Sequence, residues 1–300
     1  MTINTQLFAK ALYPGVNKWF GKEYNEHEVE FTSLFDSFTS RRAWEEDMGV
    51  SSYGLFQVKG EGSAVAFDNE QQGFMSRYTH VAYGLGFVIT SEMFEDDLYD
   101  IVGEKRARGL AFSIRQTKEV LGANVYNRAF NASYTGGDGV SLGSASHPNV
   151  AGGTYSNILS TAADLSEAAL EQARIDIMKL MNDRGLKISV MPQTLIVPVD
   201  LVNEAEKILG TPTTPFSAEL TKNVVKGMFP KGVKVNHYLT DTDAWFIRTN
   251  VKDGMKYFSR KDDTFSADDD FDTDNAKYKA VFRCSFGWTD PRGIFATPGV

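Results

Sequence analysis

The strongest constraint in this chain is a long helical pattern from Ser91 to Phe130. Apolar residues recur at Phe94, Leu98, Ile101, Leu110, Ile114, Leu121 and Val125, the spacing of one helix face. Ser91 is placed to cap the first turn, and Glu92, Glu95, Asp96 and Asp97 follow at the positive end of the helix dipole. Lys105, Arg106, Arg108, Arg115 and Lys118 come later. A helix of that length reaches about 60 Å. Gly103, Gly109 and Gly122 lie inside it, each costing roughly 1 kcal/mol relative to alanine, and mark places to bend or break. One narrow apolar stripe on so long a helix predicts a strut lying along a surface. The rest of the chain must supply that surface.

Extended segments precede the strut. Residues 1–50 carry many aromatics with weak periodicity, including an amphipathic stretch from Phe8 to Phe20 and a polar–apolar alternation from Glu26 to Phe31. Such a segment is more easily buried against something else than folded alone. Between 51 and 90, Leu55–Val58, Ser63–Phe67 and Phe74–Tyr83 read as strands around the turn Lys59-Gly60-Glu61-Gly62. A hairpin this polar has little core of its own and needs a neighbour.

After a glycine-rich loop at 131–157, an α/β region follows. Ser166 caps a helix through Arg184 with Leu170, Ala173, Ile177 and Leu180 inside, and Gly185 stops it. Thr194–Val199 reads as a buried strand. Asp200 caps a short helix, Leu201–Leu209, that stops at Gly210. Val233–Tyr238 and Ala244–Thr249 read as a hairpin around Asp241-Thr242-Asp243. Met255–Ser259 leads into an acidic loop, Asp262–Asn275. The last long strand, Lys277–Trp288, puts Tyr278, Ala280, Phe282, Cys284, Phe286 and Trp288 on one face.

The 300 residues and 42% hydrophobic content suffice for one large core or two smaller ones. No apolar run approaches the roughly 20 residues of a membrane span, and no secretory signal is visible at Met1–Lys10; folding in a cytoplasm is expected. A single cysteine makes neither an intrachain disulfide nor a cysteine metal site. The net charge of −8 lacks the dense basic patches of a dedicated DNA binder.

Catalytic and binding motifs are weak. Cys284 sits on an aromatic strand face, which favours a buried, inert thiol. Asp268–Asn275 places aspartates at the first, third and fifth positions of a calcium loop, but Thr273 and Lys279 stand where glycine and glutamate belong. Gly143-Ser144-Ala145-Ser146-His147 departs from a nucleophile elbow at its last position. Tyr83-Gly84-Leu85-Gly86 starts a dinucleotide fingerprint that Phe87–Thr90 continues as strand. His27, His80, His147 and His237 have no ligand spacing. The basic run Lys105-Arg106-Ala107-Arg108 lacks the aromatic platforms of single-strand binders. An acid–base pair from Asp241, Asp243 and His237 is the enzyme alternative. No catalytic residue, cofactor or metal is assigned.

Three stretches carry a resemblance: Phe87-Val88-Ile89-Thr90-Ser91-Glu92-Met93-Phe94-Glu95-Asp96-Asp97, the loop ending Ser146-His147-Pro148-Asn149, and above all Arg184-Gly185-Leu186-Lys187 through Pro192–Leu201 into Glu204–Leu209. With the order of parts, they resemble tailed-phage major capsid proteins of the Hong Kong 97-type fold, and most closely the Mu-like major head subunit family. The implied α+β architecture is an N-terminal arm (1–50), an E-loop hairpin (51–90), a peripheral domain with its spine helix (91–153), an axial domain (154–250) and a return to the peripheral domain (251–300).

The resemblance implies a structural protein, not an enzyme. It would assemble with itself as hexamers and pentamers into an icosahedral shell, in a host bacterial cytoplasm. Its partners would be a separate scaffolding protein, since no long charged helical extension is present, a portal protein, and packaged double-stranded DNA held without sequence-specific binding. A tail or decoration protein is the structural alternative. Candidate inter-subunit contacts are Trp19, Arg41, Arg42, Trp44, Lys59, Arg77, Arg106 and Arg108. In some capsids a hairpin lysine forms a covalent crosslink; nothing in this sequence identifies a partner for Lys59. On this reading, deleting residues 1–40 is expected to leave a folded protein that forms no shells.

Overall fold

The computed structural model describes residues 18, 20–21, 29–90, 92–93, 99–213, 222–269 and 275–300. Trp19, the cap at Ser91, residues 270–274 of the acidic run, and the segment Phe8–Phe20 apart from Lys18 and Phe20 lie outside them.

Period-two alternation builds the first sheet. Strands β1 (Asp36–Thr39), β4 (Val81–Ile89), β10 (Met255–Asp269) and β11 (Ala276–Trp288) form it in the order β1-β10-β11-β4. β10 and β11 make a long antiparallel hairpin, and β1 adds in parallel to β10. Tyr278, Ala280, Phe282 and Cys284 point to one buried face, as the alternation requires. The acidic stretch expected as a loop from Asp262 is strand as far as Asp269. Asp262 and Asp268 are exposed, Asp263 pairs with Lys118 at 2.7 Å, and Phe265 is buried.

The strut, α2 (Tyr99–Asn127), lies against this sheet. Ala107, Leu110, Ala111, Ile114 and Tyr126 enter the same core as Tyr257, Phe265, Tyr278 and Phe282. The helix runs unbroken through all three glycines. Gly122 is there for clearance: a β-carbon on it would lie 3.2 Å from Phe31 and 3.4 Å from Phe35 and Phe286. Those rings meet edge-on, Phe31–Phe286 at 5.6 Å and Phe35–Phe286 at 5.2 Å between centroids.

Phe31 and Leu34 belong to a single helical turn, α1 (Phe31–Leu34), and both are buried, as is Phe35. Tyr126 donates its hydroxyl to the Leu34 carbonyl at 3.0 Å. Part of the segment expected to wait for a neighbour is therefore core of its own chain. A deletion through residue 40 would remove four buried apolar side chains, Phe20, Phe31, Leu34 and Phe35, and a strand, which argues against the expectation that it leaves a folded protein.

The second sheet runs β12-β9-β7-β8, with β7 (Pro192–Val197), β8 (Val233–Val235), β9 (Trp245–Thr249) and β12 (Ile294–Thr297). The expected hairpin between 233–238 and 244–249 does not form. β8 pairs parallel to β7, and β9 pairs antiparallel on the other side. Alternate residues separate the two cores. Leu195, Val197, Trp245, Ile247 and Phe295 face α3 (Glu167–Lys179) and α4 (Val202–Gly210), while Ile196, Phe246, Ile294 and Ala296 face the strut's core. Ser166 caps α3, accepting the Ala169 N–H at 3.2 Å. The helix ends at Lys179 rather than Arg184, because residues 181–187 turn back in a bridge between Met181 and Lys187. Asp200 lies in a one-turn 3-10 helix, Val199–Leu201, ahead of α4, and its side chain caps nothing.

The loop 131–157 is irregular apart from the two-residue pair β5 (His147–Pro148) and β6 (Thr154–Tyr155). A separate antiparallel pair is β2 (Trp44–Val50) with β3 (Gln72–Thr79). These are the legs of the hairpin. Leu55–Val58 and Ser63–Phe67, expected as strands, have no strand partner; only the turn at Gly60–Ser63 is hydrogen-bonded, at 3.1 Å.

Candidate functional site

The hairpin carries the least-covered apolar surface among the described residues. Phe56 is 104% exposed, Val58 101% and Phe67 97%. Leu55, Val65 and Tyr53 are exposed as well. Burying one such side chain is worth roughly 1.5–3 kcal/mol, and an exposed apolar cluster of this kind marks an interaction surface.

Two anchors hold the hairpin to the body. At its base, the Lys256 ammonium lies between Asp47 of β2 and Asp253, the latter at 2.7 Å. Thr289 donates to the same Asp47 oxygen at 2.7 Å and meets the Tyr78 hydroxyl at 2.7 Å. Burial raises the Asp47 carboxyl, but the bonds from Lys256 and Thr289 outweigh it and hold it below the ordinary value. At the neck, Arg184 pairs with Asp68 and donates to the Asn69 carbonyl. The alternation of β2 is a sequence signal that was available for the first anchor; the second joins residues far apart in sequence and has none.

The expected contact residues scatter. Arg41 and Lys59 are exposed. Arg42 is exposed beside Glu45, 3.7 Å away. Arg77 lies over the Trp44 ring at 4.4 Å, on the hairpin stem, with Glu46 at 4.0 Å. Arg106 donates to the Val88 carbonyl and Arg108 pairs with Glu104 at 2.5 Å. The structure brings Trp44 and Arg77 together and keeps the strut arginines apart from them.

The chemical motifs resolve into structural roles. His147 is fully buried; its Nδ1 meets Asp138 at 2.6 Å and its Nε2 meets Asn157 at 3.1 Å, so no serine faces the ring. Gly86 lies in β4, where a β-carbon would come within 2.5 Å of the Tyr278 carbonyl, so it serves strand packing. Asp241 accepts the N–H groups of Asp243 and Ala244 as a turn former, and His237 pairs with Glu30 at 2.6 Å. Burial pushes the Cys284 thiol up to about 12. A cleft of about 510 Å³ beside Cys284, Arg128 and Trp288 is lined by no carboxylate or imidazole. Among the described residues no cluster of metal-ligating side chains occurs, and no helix is long and apolar enough to cross a membrane.

The sequence profile of phage capsid proteins matches residues 75–297. No curated protein matches the chain. Solved structures of similar fold include the virus-like particle from Pyrococcus furiosus, at 11% identity and a TM-score of 0.53, covering 95% of this chain and 98% of that one. The procapsid of bacteriophage JBD30 gives 14% identity and a TM-score of 0.54, covering 98% of this chain and 76% of that one. The capsid of an empty GTA particle gives 9% identity and a TM-score of 0.53, covering 90% and 89%. At these identities the likeness is one of fold: a mixed α/β chain of the Hong Kong 97 type.

Proposed function

This chain belongs to the phage capsid protein family and is a major capsid protein of a bacteriophage virion; from that premise we propose how its parts divide the work of building the icosahedral shell. The hairpin β2–β3 with its tip is the E-loop, and its contact is a neighbouring subunit. The observation that carries this is the tip's exposed Phe56, Val58 and Phe67, which find no cover among the described residues. A closed shell repeats one modest contact many times, and linkage within the shell raises the effective concentration at every other contact.

The strut and first sheet form the peripheral domain, which takes in 91–153 and the return at 251–300. The second sheet with α3 and α4 forms the axial domain, 154–250 joined by β12 from the end of the returning segment, around which hexamers and pentamers close. Arg41, Arg42, Trp44, Lys59 and Arg77 remain the proposed contacts on the hairpin side. Trp19, Arg106 and Arg108 are proposed with them, the latter two at the strut. The segment Arg184–Leu209 supports a place near the Mu-like head subunits. A scaffolding protein and a portal are the proposed assembly partners, in the host cytoplasm. Double-stranded DNA fills the interior without sequence-specific contacts, in keeping with a net charge of −8. The role is structural, with no catalytic step.

The test replaces residues 55–67 by a short Gly-Ser turn. The expected result is a folded subunit, with an unchanged melting temperature, that no longer forms shells. Shells of normal size and yield from that variant would contradict the assignment of the tip.

A further inference from the structure

Arg184 stands on a turn that is fixed several times over. Asn182 accepts the N–H of Leu186 at 2.8 Å through its side chain and donates its own N–H to the Leu186 carbonyl at 2.8 Å. Gly185 takes a φ of +75° that closes the turn. From the other side, the buried Arg292 donates to the Met181 carbonyl at 2.9 Å and to Asp183 at 2.8 Å. A guanidinium on such a base is a rigid fork, suited to a planar two-point contact.

What it grips is the hairpin neck. Asp68 accepts the Gly54 N–H at 2.8 Å from the outgoing side and the Asn69 N–H at 2.9 Å from its own, returning side. Arg184 reaches both Asp68 and the Asn69 carbonyl. The outgoing side of the neck and the guanidinium therefore meet on one carboxylate of the returning side. The pair holds the Asp68 carboxyl below its ordinary value, the Gly54 N–H contributing most and Arg184 next. Beyond the neck, residues 55–67 extend into solvent.

We infer that Arg184 is an assembly-positioning residue: it clamps the hairpin neck to its own subunit's second-sheet lobe and sets the direction in which the tip reaches the next copy of this chain. This rests on the shell reading above. The base anchor at Lys256 and Asp47 fixes one point of the stem and the neck clamp a second, so the stem's direction is determined and the lobe and hairpin move together. A tip free to swing samples many directions, and its effective concentration at the neighbour falls with them.

The experiment labels the full-length unassembled subunit with spin probes at Ser63→Cys and Ile175→Cys and measures their distance distribution, in wild type, Arg184→Glu and the conservative Arg184→Lys. The expected result is a narrow distribution in wild type, broadened in Arg184→Glu at an unchanged melting temperature, and intermediate in Arg184→Lys, which keeps the cation at Asp68 without the fork. Shell yield, counted by electron microscopy without labels, should fall at least about tenfold in Arg184→Glu and recover in part in Arg184→Lys. A distribution equally broad in wild type and Arg184→Glu overturns the clamp. Normal shell yield from Arg184→Glu despite a broadened distribution overturns the positioning role. A narrow, Arg184-dependent distribution in a wild type that never forms shells overturns the shell reading itself.

Discussion

The carboxylate of Glu119 accepts the backbone N–H of Phe31 at 2.9 Å, across 88 residues of sequence. Its other oxygen takes the N–H of Glu30, also at 2.9 Å. The strut thereby satisfies the first donors of α1, groups that a helix start leaves without partners. Glu30 in turn accepts the backbone N–H and Nδ1 of His237, near the second sheet. One short segment thus ties both cores together.

Burial pushes Glu119 up to about 7, against the pull of the two N–H bonds and Arg115, with the nearby Glu30 charge adding to the rise. A carboxyl whose folded value lies above its unfolded value supports the fold most at low pH, and that contribution is lost as pH rises through the folded value. Glu119→Gln removes this dependence. Melting temperature should fall between about pH 5 and pH 7 more steeply in wild type than in Glu119→Gln, which a thermal melt series checks; parallel profiles would contradict the assignment.

Lys256→Met leaves Asp47 without its cation at a half-buried site. The expected cost is about 1–3 kcal/mol at neutral pH, read by denaturant unfolding. Because the folded Asp47 value is depressed, its contribution is present above the ordinary carboxylate value and lost as pH falls through the depressed one. The difference between wild type and Lys256→Met should therefore shrink in acid, and a constant difference would argue against the ion pair.

Cys284 is 2% exposed, and its thiol is pushed up to about 12. A thiolate-directed reagent at neutral pH should leave the native protein unmodified and label it stoichiometrically in denaturant. Intact-mass measurement separates the two outcomes, and rapid native labelling would place the thiol in an open site.

Local patterns were the legible part of the fold. The alternation from Tyr278 to Trp288 and the stripe from Leu110 to Val125 depend on neighbours a few residues apart, and both appear where expected. Pairings between distant segments were not legible: β8 beside β7, or β1 beside β10. Leu55–Val58 and Ser63–Phe67 have strand composition, but a strand needs a ladder partner, and theirs is absent. Gly122 looked like a helix breaker because its reason, the close approach of Phe31, Phe35 and Phe286, lies elsewhere in the sequence. The surface was legible only as a hairpin in need of a neighbour. Arg106 and Arg108 looked available, yet each has an intramolecular partner. Arg184 and Asp68 lie 116 residues apart, and no spacing could join them.

Electron microscopy of the full-length protein, expressed alone and with a co-expressed scaffolding protein, tests the central claim most directly. The account predicts closed shells of uniform size, tens of nanometres across. Tubes, or monomers that persist in both preparations, would contradict it.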